Sequence, residues 1–206
     1  MKSSSVCYII GAGDFNETFE PMPGDFVIAA DGGYDSLLKI GVTPDVLIGD
    51  FDSLRAEPSG VEIVRYPKEK DETDSYLAYR LGYRLGYRKF MLLGGTGGRI
   101  DHTLANFGLL LNARLNGVEM LLCGSGFRAR VLKNESAVLN GRCGATVSIF
   151  AIGGDAERVS IKGLRYEVEG GRLKEDFPLG VSNSFTESGT GTVSVERGAL
   201  LVIEEL

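Results

Sequence analysis

Short apolar runs rich in β-branched residues alternate with helical patterns over the first two thirds of the chain, and short alternating runs fill the rest. The runs at 6–10, 26–30, 46–48, 61–65, 89–93 and 118–123 have the length and composition of strands. Spacing predicts a helix after Thr73-Asp74, where Leu77, Leu81 and Leu85 fall at four-residue steps with Ala78 beside them. A second helix is expected near Asp101, with Leu104, Phe107, Leu111 and Leu115 as its apolar stripe. Together these predict an α/β layer sandwich on a mostly parallel sheet. Beyond about residue 125 the runs at 145–152, 158–161, 164–168, 191–196 and 199–203 alternate and are separated by Gly or Asn turns, the pattern of an all-β sandwich. Gly124-Ser125-Gly126 marks the change, so the expected organisation is an α/β part, residues 1–124, followed by a β-sandwich, residues 125–206. The doubled Leu-Gly-Tyr-Arg at 81–88 is too short to be an architectural repeat.

Composition narrows the classes. With 206 residues, 43% hydrophobic and 24% charged, the chain has the profile of a folded protein able to bury its own core without disulfides or a structural metal. The balance of 22 basic and 28 acidic residues gives a net charge of −6, and no Lys/Arg block offers a tract for nucleic acid. An anionic substrate would therefore need a cation brought with it. No span of 18 apolar residues appears, and the polar start Met1-Lys2-Ser3-Ser4-Ser5 leads into only a brief apolar run, so neither a membrane span nor a signal peptide is expected. Three cysteines without a CxxC pair argue against a disulfide framework or thiolate zinc site and for the cytoplasm.

Candidate chemistry lies where apolar runs end. Gly49-Asp50-Phe51-Asp52-Ser53 puts two carboxylates, one residue apart, at a strand's C-terminal end. In open α/β sheets ligands bind at that edge. One or two carboxylates completed by water and phosphate oxygens suit Mg²⁺, although an Asp-rich turn has the same sequence. Ala30-Asp31-Gly32-Gly33 repeats the arrangement, its glycines letting a backbone or ligand come close. Lys70-Asp71-Glu72-Thr73-Asp74 crowds three carboxylates before a helix, where an acidic first turn and a Thr cap are ordinary. Asp74 stands out because it makes a third acidic junction on one edge, where like charges repel unless a cation offsets them.

The most informative stretch is Leu93-Gly94-Gly95-Thr96-Gly97-Gly98-Arg99-Ile100-Asp101-His102, with four glycines between a strand and a helix. Such a loop presents backbone N–H groups, Gly97 and Gly98 among them, to phosphate at a helix N-terminus. Arg99 adds a fork suited to phosphate oxygens, and Asp101 can ligate metal or accept a proton. The Gly-Lys-Ser/Thr ending of a P-loop is absent. His102, the only histidine, excludes a multi-histidine metal site and is read as structural. Gly11-Ala12-Gly13 has Asn16 where a dinucleotide fingerprint has its third glycine, and is weak evidence for NAD. Tyr76, Tyr79, Tyr83 and Tyr87 read as helix surface and packing rather than a stacking platform.

In this order, Ala30 to Gly33, Gly49 to Ser53, Thr73-Asp74, Gly94 to His102 with Asn106, and the late Val181-Ser182-Asn183 resemble the thiamine pyrophosphokinase family over nearly the whole chain. The resemblance implies transfer of a diphosphoryl group from ATP to the hydroxyethyl oxygen of thiamine, giving thiamine diphosphate and AMP. It implies Mg²⁺ on Asp50, Asp52 and Asp74, with Asp31, Gly32, Gly33 and Asp101 nearby. Arg99, Thr73 and the Gly97-Gly98 loop would meet the nucleotide phosphates, and Ser182 and Asn183 would lie near thiamine. It also implies a homodimer with the active site between subunits. The chain lacks Trp, so an aromatic wall for thiamine would use Phe or Tyr, with Phe185 the candidate, and Ser184 stands where an acidic residue often follows Ser-Asn. Asp101 is the candidate general base. The competing readings are a hydroxymethylpterin diphosphokinase of related fold and a non-catalytic module that senses Mg-ATP.

Overall fold

The computed structural model describes residues 5–15, 19–50, 60–67, 69 and 71–206. The six apolar runs of the first part form β1 (Val6–Ile10), β2 (Phe26–Ala30), β3 (Val46–Gly49), β4 (Glu62–Arg65), β5 (Lys89–Leu93) and β6 (Glu119–Gly124). All pair in parallel, in the order β6-β5-β1-β2-β3-β4. Between them lie α1 (Gly33–Ile40), α2 (Asp74–Arg84) and α3 (Ile100–Leu115). The chain divides into two compact units, Met1–Leu109 with Gly117–Ser125, and Leu110–Asn116 with Gly126–Leu206. The last turns of α3 therefore count with the second unit, a detail absent from a single cut at 124/125.

Within the first unit, strands are apolar on both faces because helices cover both. Ile10, Val27, Ala29, Leu47 and Leu93 share one core with Leu37 of α1. On the other face Gly82 of α2 sits against the Cys7 sulfur and the Phe90 ring, and Tyr79 meets Phe90 edge-on with centroids 5.2 Å apart. Tyr79 and Tyr87 are buried. Helix α2 is capped by Thr73, whose hydroxyl accepts the Tyr76 N–H at 3.2 Å. Its buried residues are Leu77, Ala78, Tyr79 and Gly82, whereas Leu85 caps the C-terminal end and is exposed.

Helix α3 turns a different face inward from the expected one. Leu104 and Leu115 are 71% and 53% exposed, and the buried residues are Asn106, Leu109, Leu110 and Ala113. Leu109 and Leu110 take the buried places expected for Leu104 and Leu115, and Asn106 on the same side reaches a loop carbonyl with its amide.

The second unit holds two antiparallel sheets. One has the order β12-β9-β14-β7, with β7 (Phe127–Lys133), β9 (Thr146–Ala151), β12 (Gly180–Ser184) and β14 (Ala199–Glu205). The other has the order β11-β10-β13-β8, with β8 (Ser136–Asn140), β10 (Ala156–Lys162), β11 (Val168–Leu173) and β13 (Thr190–Arg197). Val147, Ile149, Leu200 and Val202 from the first pack with Val159, Ile161, Val193 and Val195 from the second. The run at 164–168 is not a strand. Leu164 makes a single bridge to Phe185, and the strand begins only at Val168.

Strand β7 escapes an apolar-pattern reading because Arg128 and Arg130 occupy its inward register beside Leu132. They flank Glu204, which is 1% exposed, at 3.0 and 3.2 Å. Arg130 approaches one Glu204 oxygen outside hydrogen-bonding geometry, and its own Nε has no acceptor among the described residues. Cys7, Cys123 and Cys143 form no disulfide with one another. Among the described residues no helix is long and apolar enough to cross a membrane.

Removing Glu204 leaves two partly buried guanidinium groups facing each other. Glu204→Ala is expected to lower unfolding free energy by about 2–4 kcal/mol, less than for fully buried partners because the arginines can regain water. Urea denaturation checks this, and a loss below about 0.5 kcal/mol would mean the three charges are not coupled to folding.

Candidate functional site at the C-terminal edge of the parallel sheet

After β1 the chain adds β2, β3 and β4 on one side, then returns to place β5 and β6 on the other. The switch lies between β1 and β5, where open α/β sheets bind ligands. There the N–H groups of Gly11, Gly13 and Asp14 donate to the carbonyls of Leu93, Gly94 and Thr96 at 2.8, 2.8 and 2.7 Å. The two loops thus extend the β1/β5 pairing past the strand ends. No helix follows β1 among the described residues before β2, so Gly11-Ala12-Gly13 lacks the helix N-terminus on which a dinucleotide pyrophosphate would rest. These glycines serve loop packing.

Asp31 follows β2 with φ 48°, a left-handed conformation costly for a residue other than glycine. Its N–H donates to the Ile48 carbonyl at 2.7 Å, fixing this strained position beside β3. Gly33 is buried with its Cα against the Ile10 carbonyl, where a Cβ would collide. Packing alone thus requires glycine at Gly33, whatever it does for a ligand. Asp50 follows β3 and is half-buried, while Asp52 lies outside the described residues. Asp74 opens α2 behind the Thr73 cap. Glu72, in the same acidic run, pairs with Arg80 at 2.6 Å.

Among the described residues no three His, Cys, Asp or Glu side chains converge as a metal cage. The donor chemistry at this edge nevertheless fits Mg²⁺, which takes one or two hard carboxylates and fills its shell with water and phosphate oxygens. Asp50 and Asp74 are such donors, carried on neighbouring junctions.

The glycine-rich loop is fixed from below. Asn106, buried on α3, donates its amide to the Gly95 carbonyl at 2.7 Å, and Thr96 is buried beside it. This role escaped the sequence reading; its signal is an amide standing where the helix pattern wants an apolar residue. Gly97 and Gly98 have φ of 85° and 64°. Their N–H groups have no acceptor among the described residues, as a turn prepared for an anion requires.

Arg99 and Asp101 form a two-pronged pair, Nε to Oδ1 at 3.1 Å and Nη2 to Oδ2 at 2.6 Å. The Arg99 hydrogen bonds, helped by the His102 N–H, hold the Asp101 carboxyl below the usual carboxylate range. Asp101 paired in this way is a weak proton acceptor. The side chains are 72% and 60% exposed, so the pair opens at small cost. His102 is exposed and bound to nothing through its ring among the described residues.

In the second unit, Ser182 has φ 60° at an irregularity in the pairing of β12 with β9, and its N–H meets the Ser148 hydroxyl at 3.2 Å. Asn183 is buried. Its Oδ1 accepts from Tyr166 N–H at 3.0 Å and Ser184 N–H at 2.9 Å, and its Nδ2 donates to the Tyr166 carbonyl at 2.7 Å. These bonds make it a residue that shapes the loop carrying Tyr166. Phe185 is 2% exposed in the sandwich core, which removes it as an aromatic wall. The residue whose backbone Asn183 holds, Tyr166, is an exposed aromatic, with the Arg165 guanidinium 5.6 Å from its ring centroid.

An acidic sheet edge and a glycine-rich turn that opens a helix have the chemistry to receive a metal-bound phosphate, on a chain that continues into a separate β-sandwich. Two family models match in succession: thiamin pyrophosphokinase, catalytic domain, over residues 23–122, and thiamin pyrophosphokinase, vitamin B1 binding domain, over residues 133–200. The chain belongs to the thiamine pyrophosphokinase family. It is 27% identical over 183 residues to the thiamine pyrophosphokinase of Bacillus subtilis, covering 85% of each chain. A thiamin pyrophosphokinase family protein from Enterococcus faecalis has a similar crystal structure, with TM-score 0.84, 26% identity, and coverage of 98% of this chain and 99% of that one. The crystal structure of the Bacillus subtilis enzyme matches in fold with TM-score 0.86 at 22% identity, covering 98% and 99%.

In carboxyl NMR titration, Asp101 is expected to titrate below an ordinary aspartate, and Arg99→Gln should return it toward the normal range. A depressed folded-state value means the pair favours the fold above the unfolded aspartate's pKa, with that contribution lost as pH falls through the folded value. An unchanged midpoint in Arg99→Gln would show that the pair does not persist in solution.

Proposed function

We propose that this protein is a thiamine diphosphokinase that uses ATP and Mg²⁺ and works as a cytoplasmic homodimer. The reading is carried by the succession of a catalytic and a vitamin B1 binding family domain along one chain, over a sheet edge furnished for a metal-bound polyphosphate. The hydroxyethyl oxygen of thiamine forms a bond to the β-phosphorus while the bond from that phosphorus to the oxygen bridging the α-phosphate breaks. AMP leaves, and the alcohol proton is released.

Asp50, Asp74 and Asp52 would hold Mg²⁺, which supplies charge neutralisation on the triphosphate. Gly97 and Gly98 donate N–H groups to phosphate oxygens, and Thr73, its oxygen already accepting from Tyr76, still has a hydroxyl proton to give. Asp31 and Gly32 border the same edge. Arg99 exchanges Asp101 for phosphate, and Asp101, so released, regains basicity and takes the alcohol proton. In the second unit Ser182 and the exposed Tyr166 ring recognise thiamine, with Asn183 positioning both.

Incubation with Mg-ATP and thiamine should yield AMP and thiamine diphosphate in equal amounts. ADP with thiamine monophosphate would indicate an ordinary kinase, turnover of a hydroxymethylpterin instead would identify the related diphosphokinase, and ATP binding without AMP release would identify a sensing module. Asp50→Asn, which keeps size and removes charge, should cut turnover at least roughly 100-fold, about 2.7 kcal/mol at the transition state, without changing the fold. Near-normal rates at saturating Mg²⁺ would make Asp50 a turn residue.

A further inference from the structure

One acidic side chain at the glycine-rich loop has no task in this mechanism. Asp14 stands in the loop after β1, with its N–H bonded to the Thr96 carbonyl at 2.7 Å. The next residue, Phe15, packs on Phe19, and Phe19 on Tyr8 of β1, with centroids 6.1 and 5.0 Å apart. The backbone at Asp14 is therefore held on both sides. Its carboxylate lies against Gly97, where a Cβ would overlap the carboxyl carbon and an oxygen. Asp14 is exposed, and its carboxylate has no hydrogen bond or ion pair with another described residue.

An acceptor-only charge has thus been set beside the turn whose N–H groups, without an acceptor among the described residues, are assigned to phosphate in the proposed function. Asp14 follows β1 and Asp50 follows β3, two strands away, a span of roughly 10 Å in strand spacing alone. A cation held by Asp50 leaves Asp14 outside its coordination shell and its charge in place. Arg99, the cation of the same loop, is paired with Asp101 and bares that carboxylate when it turns to phosphate, so the loop's net charge is unchanged by the exchange. A free nucleoside triphosphate carries about four negative charges and its divalent-cation complex about two, so Asp14 repels the free form roughly twice as strongly.

We propose that Asp14 is a specificity-determining residue that makes the glycine-rich loop refuse free nucleoside triphosphate and accept its divalent-cation complex. The inference rests on the nucleotide site of the proposed function. It assigns Asp14 no part in bond making. Its effect is exerted on binding, through a charge carried beside Gly97 on a backbone position held by the Thr96 carbonyl.

Calorimetric titration of the intact protein at low ionic strength tests this, with ATP in EDTA and with ATP in excess Mg²⁺, for wild type, Asp14→Asn and Asp14→Ser. Both variants should bind free ATP roughly three- to tenfold more tightly and alter Mg-ATP affinity by less than about twofold, with the difference shrinking in high salt. Equal changes for the two ligands, weaker binding of free ATP, or no change would overturn the role of Asp14 while leaving the nucleotide site standing. Wild-type protein that binds neither form would overturn the nucleotide site itself, and this inference with it.

Discussion

Three backbone hydrogen bonds between the loops after β1 and β5 are the constraint on which the first unit's site depends. They carry the pairing past the last residues of both strands, so Gly11 to Asp14 and Leu93 to Thr96 run side by side as two rails at the switch point. Loops at such a position are ordinarily free to vary. Here the rails fix where the glycine turn begins, and Asn106 fixes it again from the helix side by holding the Gly95 carbonyl. With its start held twice, the left-handed pair Gly97-Gly98 and the entry into α3 have little freedom left, which is the preorganisation that anion binding needs.

The same edge concentrates negative charge. Asp14, Asp31, Asp50 and Asp74 each sit at a junction after a different strand or at the start of α2, and the nearby Arg99 is occupied by Asp101. Such an arrangement is unfavourable for a bare polyphosphate and favourable for one that arrives with a metal ion. The strain at Asp31 belongs to this picture. A left-handed aspartate is tolerated where the surrounding backbone over-determines it, and the bond to the Ile48 carbonyl does so.

The second unit works by a different economy of polar groups. Its apolar core is ordinary, but two buried polar residues decide local shape. Glu204 draws Arg128 and Arg130 inward at the end of the sandwich, and Asn183 takes up both backbone groups of Tyr166. Replacing either amide bond by nothing would strand a backbone group away from water. That is why a residue expected to touch a ligand is buried, while an aromatic residue that drew no notice presents its ring to solvent.

Local patterns determined much of this protein. Strands β1 to β6 and the start of α2 follow from apolar runs and a capping threonine, since period and capping are properties of adjacent residues. The order of Asp31, Asp50, Thr73-Asp74 and the glycine-rich stretch carried the family resemblance that the comparisons bear out. Tertiary structure alone decided the facing of α3, because what its faces meet, such as the Gly95 carbonyl that the buried Asn106 amide holds, lies outside the helix's own pattern. It also decided that β7 is a strand, since its inward arginines are neutralised by Glu204 from a strand some seventy residues away. The same distance in sequence explains Asp14 and Gly97: neither position is unusual alone, and only the pairing of β1 with β5 sets a carboxylate against a glycine.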